Sequence, residues 1–271
     1  MVSNAMSISL LHLSDIHPAA YDNLSRLAQD ISSAVKRSNS SPTHVVASGD
    51  LGLKGANQKE SARFLIAVAS NLGLEPSQVI CVPGNHDVEK DNPTKPFQSY
   101  SKAILAITGD SSRTIVKPVD VYRHRGVEFV LINSAYHLNT TFGRVDCDAL
   151  RDVVKSLSST TTKVVVVHHN LIPVSDEDRS TIANAYEVLT IVSSAGCDVV
   201  LHGHQHASLS LTVGSSTKLV GVGTVNFPPG TNVNHQFNIV DIGKRVLRFR
   251  FHADSSTSEG FGNWDPEELP W

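Results

Sequence analysis

The chain reads as an α/β protein built on a parallel sheet flanked by helices. Short apolar runs alternate with amphipathic stretches over the first hundred residues, and each run ends in a polar cluster. With 271 residues, 40% apolar and 18% charged, there is also ample chain for one buried core. Ile8–Leu13 is the first strand and runs into Ser14-Asp15-Ile16-His17. Leu24, Leu27, Ala28, Ile31 and Val35 recur at helical spacing, which predicts a helix from about Tyr21 to Arg37. His44–Ala47 is the next strand, then a helix over Gln58–Leu72, then a strand over Val79–Val82 that ends in Pro83-Gly84-Asn85-His86-Asp87. A further helix fits Phe97–Ile107.

The second half continues with a hairpin, Val119–Arg123 and Val127–Asn133, around Arg125-Gly126. A helix over Asp146–Leu157 precedes the β-branched strand Lys163–Val167, which ends in His168-His169-Asn170. A helix over Ile182–Ser194 leads to the strand Asp198–Leu201, which runs into His202-Gly203-His204-Gln205-His206. Only strands follow: Leu209–Val213, Lys218–Val222, Gln236–Asp241 and Val246–Phe251. Residues 1–5 look like an expression scar, 6–252 form one domain, and 253–271 read as a polar tail. That tail either docks through Phe261, Trp264 and Trp271 or leads to a missing segment.

Composition narrows the function class. Net charge is −3, and no basic run exceeds Lys36-Arg37 or Lys244-Arg245, so the broad basic footprint of a nucleic-acid binder is lacking. No apolar run approaches the ~20 residues of a membrane span. Three dispersed cysteines, Cys81, Cys147 and Cys197, argue against a disulfide scaffold and fit a cytoplasmic setting. Thirteen histidines stand out against five tyrosines and two tryptophans.

Those histidines are not scattered. Asp15-x-His17, Gly49-Asp50, Gly84-Asn85-His86-Asp87, His168-His169 and Gly203-His204-Gln205-His206 each follow a strand. In open α/β sheets the carboxyl ends of the strands line one crevice, so the five clusters converge. Alone, Asp15 or Asp50 reads as a turn residue or helix cap, and a lone His86 as a hydrogen-bonded packing residue. Together, carboxylates, a carboxamide and imidazoles without a thiolate suit Mn, Fe, Zn, Co or Ni. The donors are too many for one tetrahedral ion and about enough for two. His168 and His169 point to opposite faces of the strand end, so only one of them is expected to be a ligand. His202 reads as a strand-end packing residue, and His12, His44, His124, His137, His235 and His252 lack any motif context.

The order D-x-H, G-D, G-N-H-D, H, G-H-x-H resembles the signature of the calcineurin-like metallophosphoesterases, over roughly Ile8 to Ala207. It looks closest to the bacterial class of cyclic-nucleotide phosphodiesterases and glycerophosphodiesterases. The resemblance implies a four-layer α/β/β/α sandwich of two mixed sheets packed face to face with flanking helices. It implies two divalent metal ions bridged by Asp50, one held by Asp15, His17 and His206, the other by Asn85, His168 and His204. His86 is implied as the acid for the leaving oxygen, with a metal-bridging hydroxide attacking in line. Asp87 is expected to orient the His86 ring. The implied substrate is a small phosphodiester of nucleotide or glycerol type. A nuclease of the same superfamily and a binding scaffold on the same fold are the alternatives.

Overall fold

In the computed structural model the described residues are 8–18, 23–114, 116–139, 141–226, 235–253 and 262–271. The scar at 1–5, the helix start at Tyr21, and Phe261 lie outside them. The elements run β1 (Ser9–Leu13), α1 (Leu24–Arg37), β2 (His44–Ala47), α2 (Gln58–Asn71), β3 (Val79–Cys81) and α3 (Gln98–Thr108). Then come β4 (Val119–His124), β5 (Val127–Ile132), α4 (Cys147–Lys155), β6 (Thr162–Val167), α5 (Ala185–Ser194) and β7 (Val199–His202). The chain closes with β8 (Leu209–Val213), β9 (Thr217–Gly221), β10 (Gln236–Asp241), β11 (Arg245–Ala253) and β12 (Gly262–Pro270).

Two six-stranded sheets result, ordered β12-β11-β10-β1-β2-β3 and β4-β5-β6-β7-β9-β8. Both are mixed. β1, β2 and β3 are parallel, as are β5, β6, β7 and β9, and antiparallel strands complete each sheet. The period-two alternation of the strands sorts side chains into three apolar layers. Leu10, Val46, Ile80, Val164, Val166, Val199 and Leu201 meet between the sheets. Leu11, Leu13, Val45, Ala47 and Val79 face α1, α2 and α3 on one outer side. Val165, Val167 and Val200 face α4 and α5 on the other. The protein is therefore a four-layer α/β/β/α sandwich. Helix α1 shows the local logic: Asn23 caps its N-terminus by accepting from the Arg26 N–H, and Lys36 and Arg37 close its last turn.

Within the segment read as a polar tail, Gly262–Pro270 form an edge strand. β12 pairs antiparallel with β11 along its whole length. Trp264 is buried, its ring 4.9 Å from Phe237 and 5.3 Å from Phe251. Glu267 and Glu268 pair with Arg248 and Arg245 across the ladder. Pro266 and the exposed acidic residues hide the strand pattern in the sequence, yet both are characteristic of an edge strand.

Candidate metal centre

The carboxyl ends of β1, β2 and β3 open on one edge of their sheet, and those of β6 and β7 open beside them. The loops at these ends are laced together. Asp15 N–H donates to the Gly49 carbonyl at 3.1 Å, Ile16 N–H to Asp50 at 3.0 Å, and Gly203 N–H to His168 at 3.0 Å. Two donor clusters form there, Asp15 with His17 and His206, and Asp50 with His168 and His204. Within each cluster one ligand atom per residue lies within 4.8 Å of the others. The first grouping has the three residues expected at one ion, and the second has Asp50 with two of the three expected at the other.

In the first cluster, Asp15 Oδ1 lies 3.2 Å from His206 Nε2 and 3.7 Å from His17 Nε2. In the second, His168 Nε2 lies 3.0 Å from Asn85 Oδ1, 3.2 Å from His204 Nδ1 and 3.3 Å from Asp50 Oδ2. That nitrogen carries at most one proton, while three acceptor-capable atoms point at its neighbourhood. Lone pairs converge without enough hydrogens between them, and His204 Nε2 is buried without a partner. A divalent cation resolves that convergence.

Electrostatics agree. Burial alone would raise the Asp15 and Asp50 carboxyls, but the imidazoles around them, His206 and His17 for Asp15 and His168 for Asp50, hold both below the ordinary range. Burial alone would lower His168, yet Asp50 outweighs it and pushes the ring up to about 9. The site thus selects for positive charge at its centre. Carboxylate, carboxamide and imidazole donors fit two divalent metal ions of borderline hardness.

Period two separates the histidine pair. His168 continues the face of Val164 and Val166 and turns between the sheets, its Nδ1 donating to the Ser48 carbonyl at 2.9 Å. His169 turns the other way and meets Ser134 Oγ at 2.7 Å. The ring of His169 is buried 4.4 Å from that of His204, behind the cluster and outside it. His202 is a buried strand-end residue.

The backbone is wound tightly where it presents ligands. Asp15, His17, Asp50, His204 and His206 all have positive φ, between 40° and 74°. Such conformations persist only where surrounding contacts over-determine them. Glycine supplies the clearance: a Cβ on Gly84 would lie 2.1 Å from Asp50 Oδ1, and one on Gly49 2.4 Å from His168 Nδ1. Thr224 Oγ1 donates to the Asp15 carbonyl at 2.7 Å, and Asn226 Nδ2 to the His17 carbonyl at 3.0 Å. These two residues were missed from sequence. They also follow a strand, β9, but bear neither charge nor imidazole.

His86 sits half-buried at the rim, its ring 5.4 Å from that of His17. Its backbone N–H donates to Asp50 Oδ1 at 2.8 Å. Asp87 differs from expectation. Its oxygens accept backbone N–H groups of Leu51 at 3.1 Å, Gly52 at 2.8 Å and Gly84 at 2.9 Å. It ties the loop after β2 to the loop after β3, and that demand on the carboxylate takes the place of orienting the His86 ring. Burial, reinforced by Asp50, pushes its carboxyl up to about 6.

The family model for calcineurin-like phosphoesterase matches residues 8–208. No curated protein sequence matches the chain. Among solved structures, a dimetal phosphatase from Danio rerio is 14% identical with a TM-score of 0.58, over 97% of this chain and 99% of that one. TT1561 of Thermus thermophilus is 12% identical with a TM-score of 0.52, over 87% of this chain and 94% of that one. At such identities the likeness speaks for the fold, and the sequence match carries the lineage. Since that match takes in all five strand-end clusters and seven of the twelve strands, the chain belongs to the calcineurin-like phosphoesterase family.

Proposed function

We propose that the protein is a phosphodiesterase acting on small phosphodiesters of nucleotide or glycerol type. The observation that carries the reading is the pair of adjacent donor clusters, Asp15/His17/His206 and Asp50/His168/His204, with Asn85 Oδ1 beside His168 and His86 at the rim. Two divalent ions bound there supply positive charge to a phosphoryl group and lower the pKa of water. Asp50, central to the loop contacts, would help hold the ions, and Asn85 would join His168 and His204 in holding one of them. His86 is held beside the site by its N–H to Asp50 and delivers a proton from its ring to the departing oxygen. Asp87 is a positioning residue that fixes Gly84 and Gly52 next to the ligands.

A small substrate is favoured by net charge −3 and the absence of a long basic run. Among the described residues no helix is long and apolar enough to cross a membrane. The test is a Mn-supplemented activity panel spanning cyclic nucleotides, glycerophosphodiesters, nucleotide monoesters and single-stranded DNA. The expected result is turnover of the first two classes well above the others. Preference for monoesters or DNA overturns the substrate assignment, and inertness toward every ester after metal loading overturns the enzymatic reading.

A further inference from the structure

A second polar site lies at the seam where the edge strand of each sheet meets the other. The end of β3, helix α3, the 111–114 turn, β4 and the end of β5 enclose a cavity of about 140 Å³. Cys81, Tyr100, Arg113, Lys117, Tyr122 and Asn133 are among its walls. This volume holds several waters or one tetrahedral oxyanion.

The Arg113 guanidinium is fixed from two sides. Its Nη2 donates to the Val79 carbonyl at 2.6 Å, and its carbon stands 4.2 Å over the Tyr122 ring. Its Nη1 is buried and has no partner among the described residues. Asn133, 3% exposed, accepts from the Ala135 N–H through Oδ1, while its Nδ2 donors are buried and unpartnered as well. Two side chains lining one cavity thus each carry a buried donor without a partner, one of them cationic. Buried donors of this kind carry a desolvation cost that a ligand relieves.

Charge sets the sign of that ligand. Asp120, the only carboxylate among the described residues lining the cavity, already pairs with Lys117 at 3.0 Å. Burial pushes the Cys81 thiol up to about 12 and the Tyr100 hydroxyl well above its ordinary value, so both stay neutral. Arg113 therefore has no counter-charge among the described cavity walls. We infer that this cavity is a binding site for a phosphate-sized oxyanion, with Arg113 Nη1 and Asn133 Nδ2 as its principal donors. Arg113 belongs to the 111–114 turn and Asn133 follows β5, so the two come from different elements, which suits a tetrahedral ion with several acceptor oxygens. The guanidinium is preorganised, so binding orders little.

The probe is inorganic phosphate, followed by calorimetry on the metal-loaded protein, with selenate soaked into crystals to locate the ion by its anomalous signal. A selenate peak between Arg113 and Asn133 is expected. So is a saturable phosphate heat that weakens at least ~10-fold in Arg113→Met and in Asn133→Asp, with turnover of an artificial ester kept. Asn133→Asp preserves the acceptor for Ala135 N–H and puts a negative charge into the cavity, so it tests the site even if Arg113→Met does not fold. A cavity holding only water in tens of millimolar selenate overturns the inference. So does phosphate binding that both variants leave intact, which would place every ion at the metal clusters.

Discussion

Two histidine-rich regions lie at opposite ends of the strands and behave in opposite ways. At the carboxyl ends, His168 sits beside Asp50 and its ring is pushed up to about 9. At the amino end of β2, His44 Nε2 meets His124 Nδ1 at 3.0 Å, and burial with His124 and Arg125 nearby pushes His44 down to about 4. Both are imidazole pairs at hydrogen-bond distance. The difference is what faces them. Carboxylates and a carboxamide turn one pair into a demand for cations, whereas Arg125 and the neighbouring Thr43 hydroxyl make the other a neutral, self-satisfied contact. Histidine density alone says nothing about metal.

The sharpest way to break this contrast is to remove its charge. Asp50→Asn is expected to reduce ester hydrolysis to background and to lower the content of both ions, read by elemental analysis of the purified protein. An active variant with two ions per chain refutes the bridging assignment. Next, Gly84→Ala forces a methyl group against Asp50 Oδ1, and ligand displacement of this size costs on the order of 10²-fold in kcat. His86→Ala is expected to keep both ions and lose ~10²–10³-fold in kcat, with a greater loss for poor leaving groups than for nitrophenyl esters. Equal losses on the two ester types remove its role as acid.

Smaller effects sharpen the comparison. Thr224→Val removes a hydrogen bond that braces Asp15 and is expected to weaken one ion by ~10-fold or more while sparing the other. At the opposite end, His44→Gln leaves ion content and turnover unchanged but alters acid stability. His44 binds its proton with a pKa near 6.5 when unfolded and about 4 when folded. The unfolded chain therefore takes up more protons between those values, and stability falls as pH drops from about 6.5 toward 4. In the variant that slope is expected to flatten by up to about one proton, measured by urea titration across the range. An unchanged slope means the pair is not buried in the neutral form.

Much of this was readable from residue order. Val164–Val167, alternating between two apolar layers, announces a strand covered on both faces, and the same alternation sends His168 and His169 to opposite sides. The five strand-end clusters were legible because ligand types carry charge or imidazole. Thr224 and Asn226 were not, because they act through backbone carbonyls that any sequence possesses. Asp87 misled for a related reason. Proximity to His86 in sequence suggested a side-chain partner, while the fold brings Leu51 and Gly52 N–H groups from a different strand end. β12 escaped notice because an edge strand buries little: among its described side chains Trp264 is buried and Leu269 packs partly against the core.

The left-handed backbone of the ligand loops ties two choices that are usually separate. Apart from glycine, aspartate, asparagine and histidine are the residues that tolerate positive φ best. The ligands with positive φ here, Asp15, His17, Asp50, His204 and His206, are all aspartate or histidine. Each is thus chosen twice, once by the ion it would hold and once by the turn it occupies. Glutamate or cysteine, respectable donors in chemistry, meet the second requirement less readily. The range of metals this scaffold can be re-engineered to accept is consequently bounded by main-chain stereochemistry as much as by coordination preference.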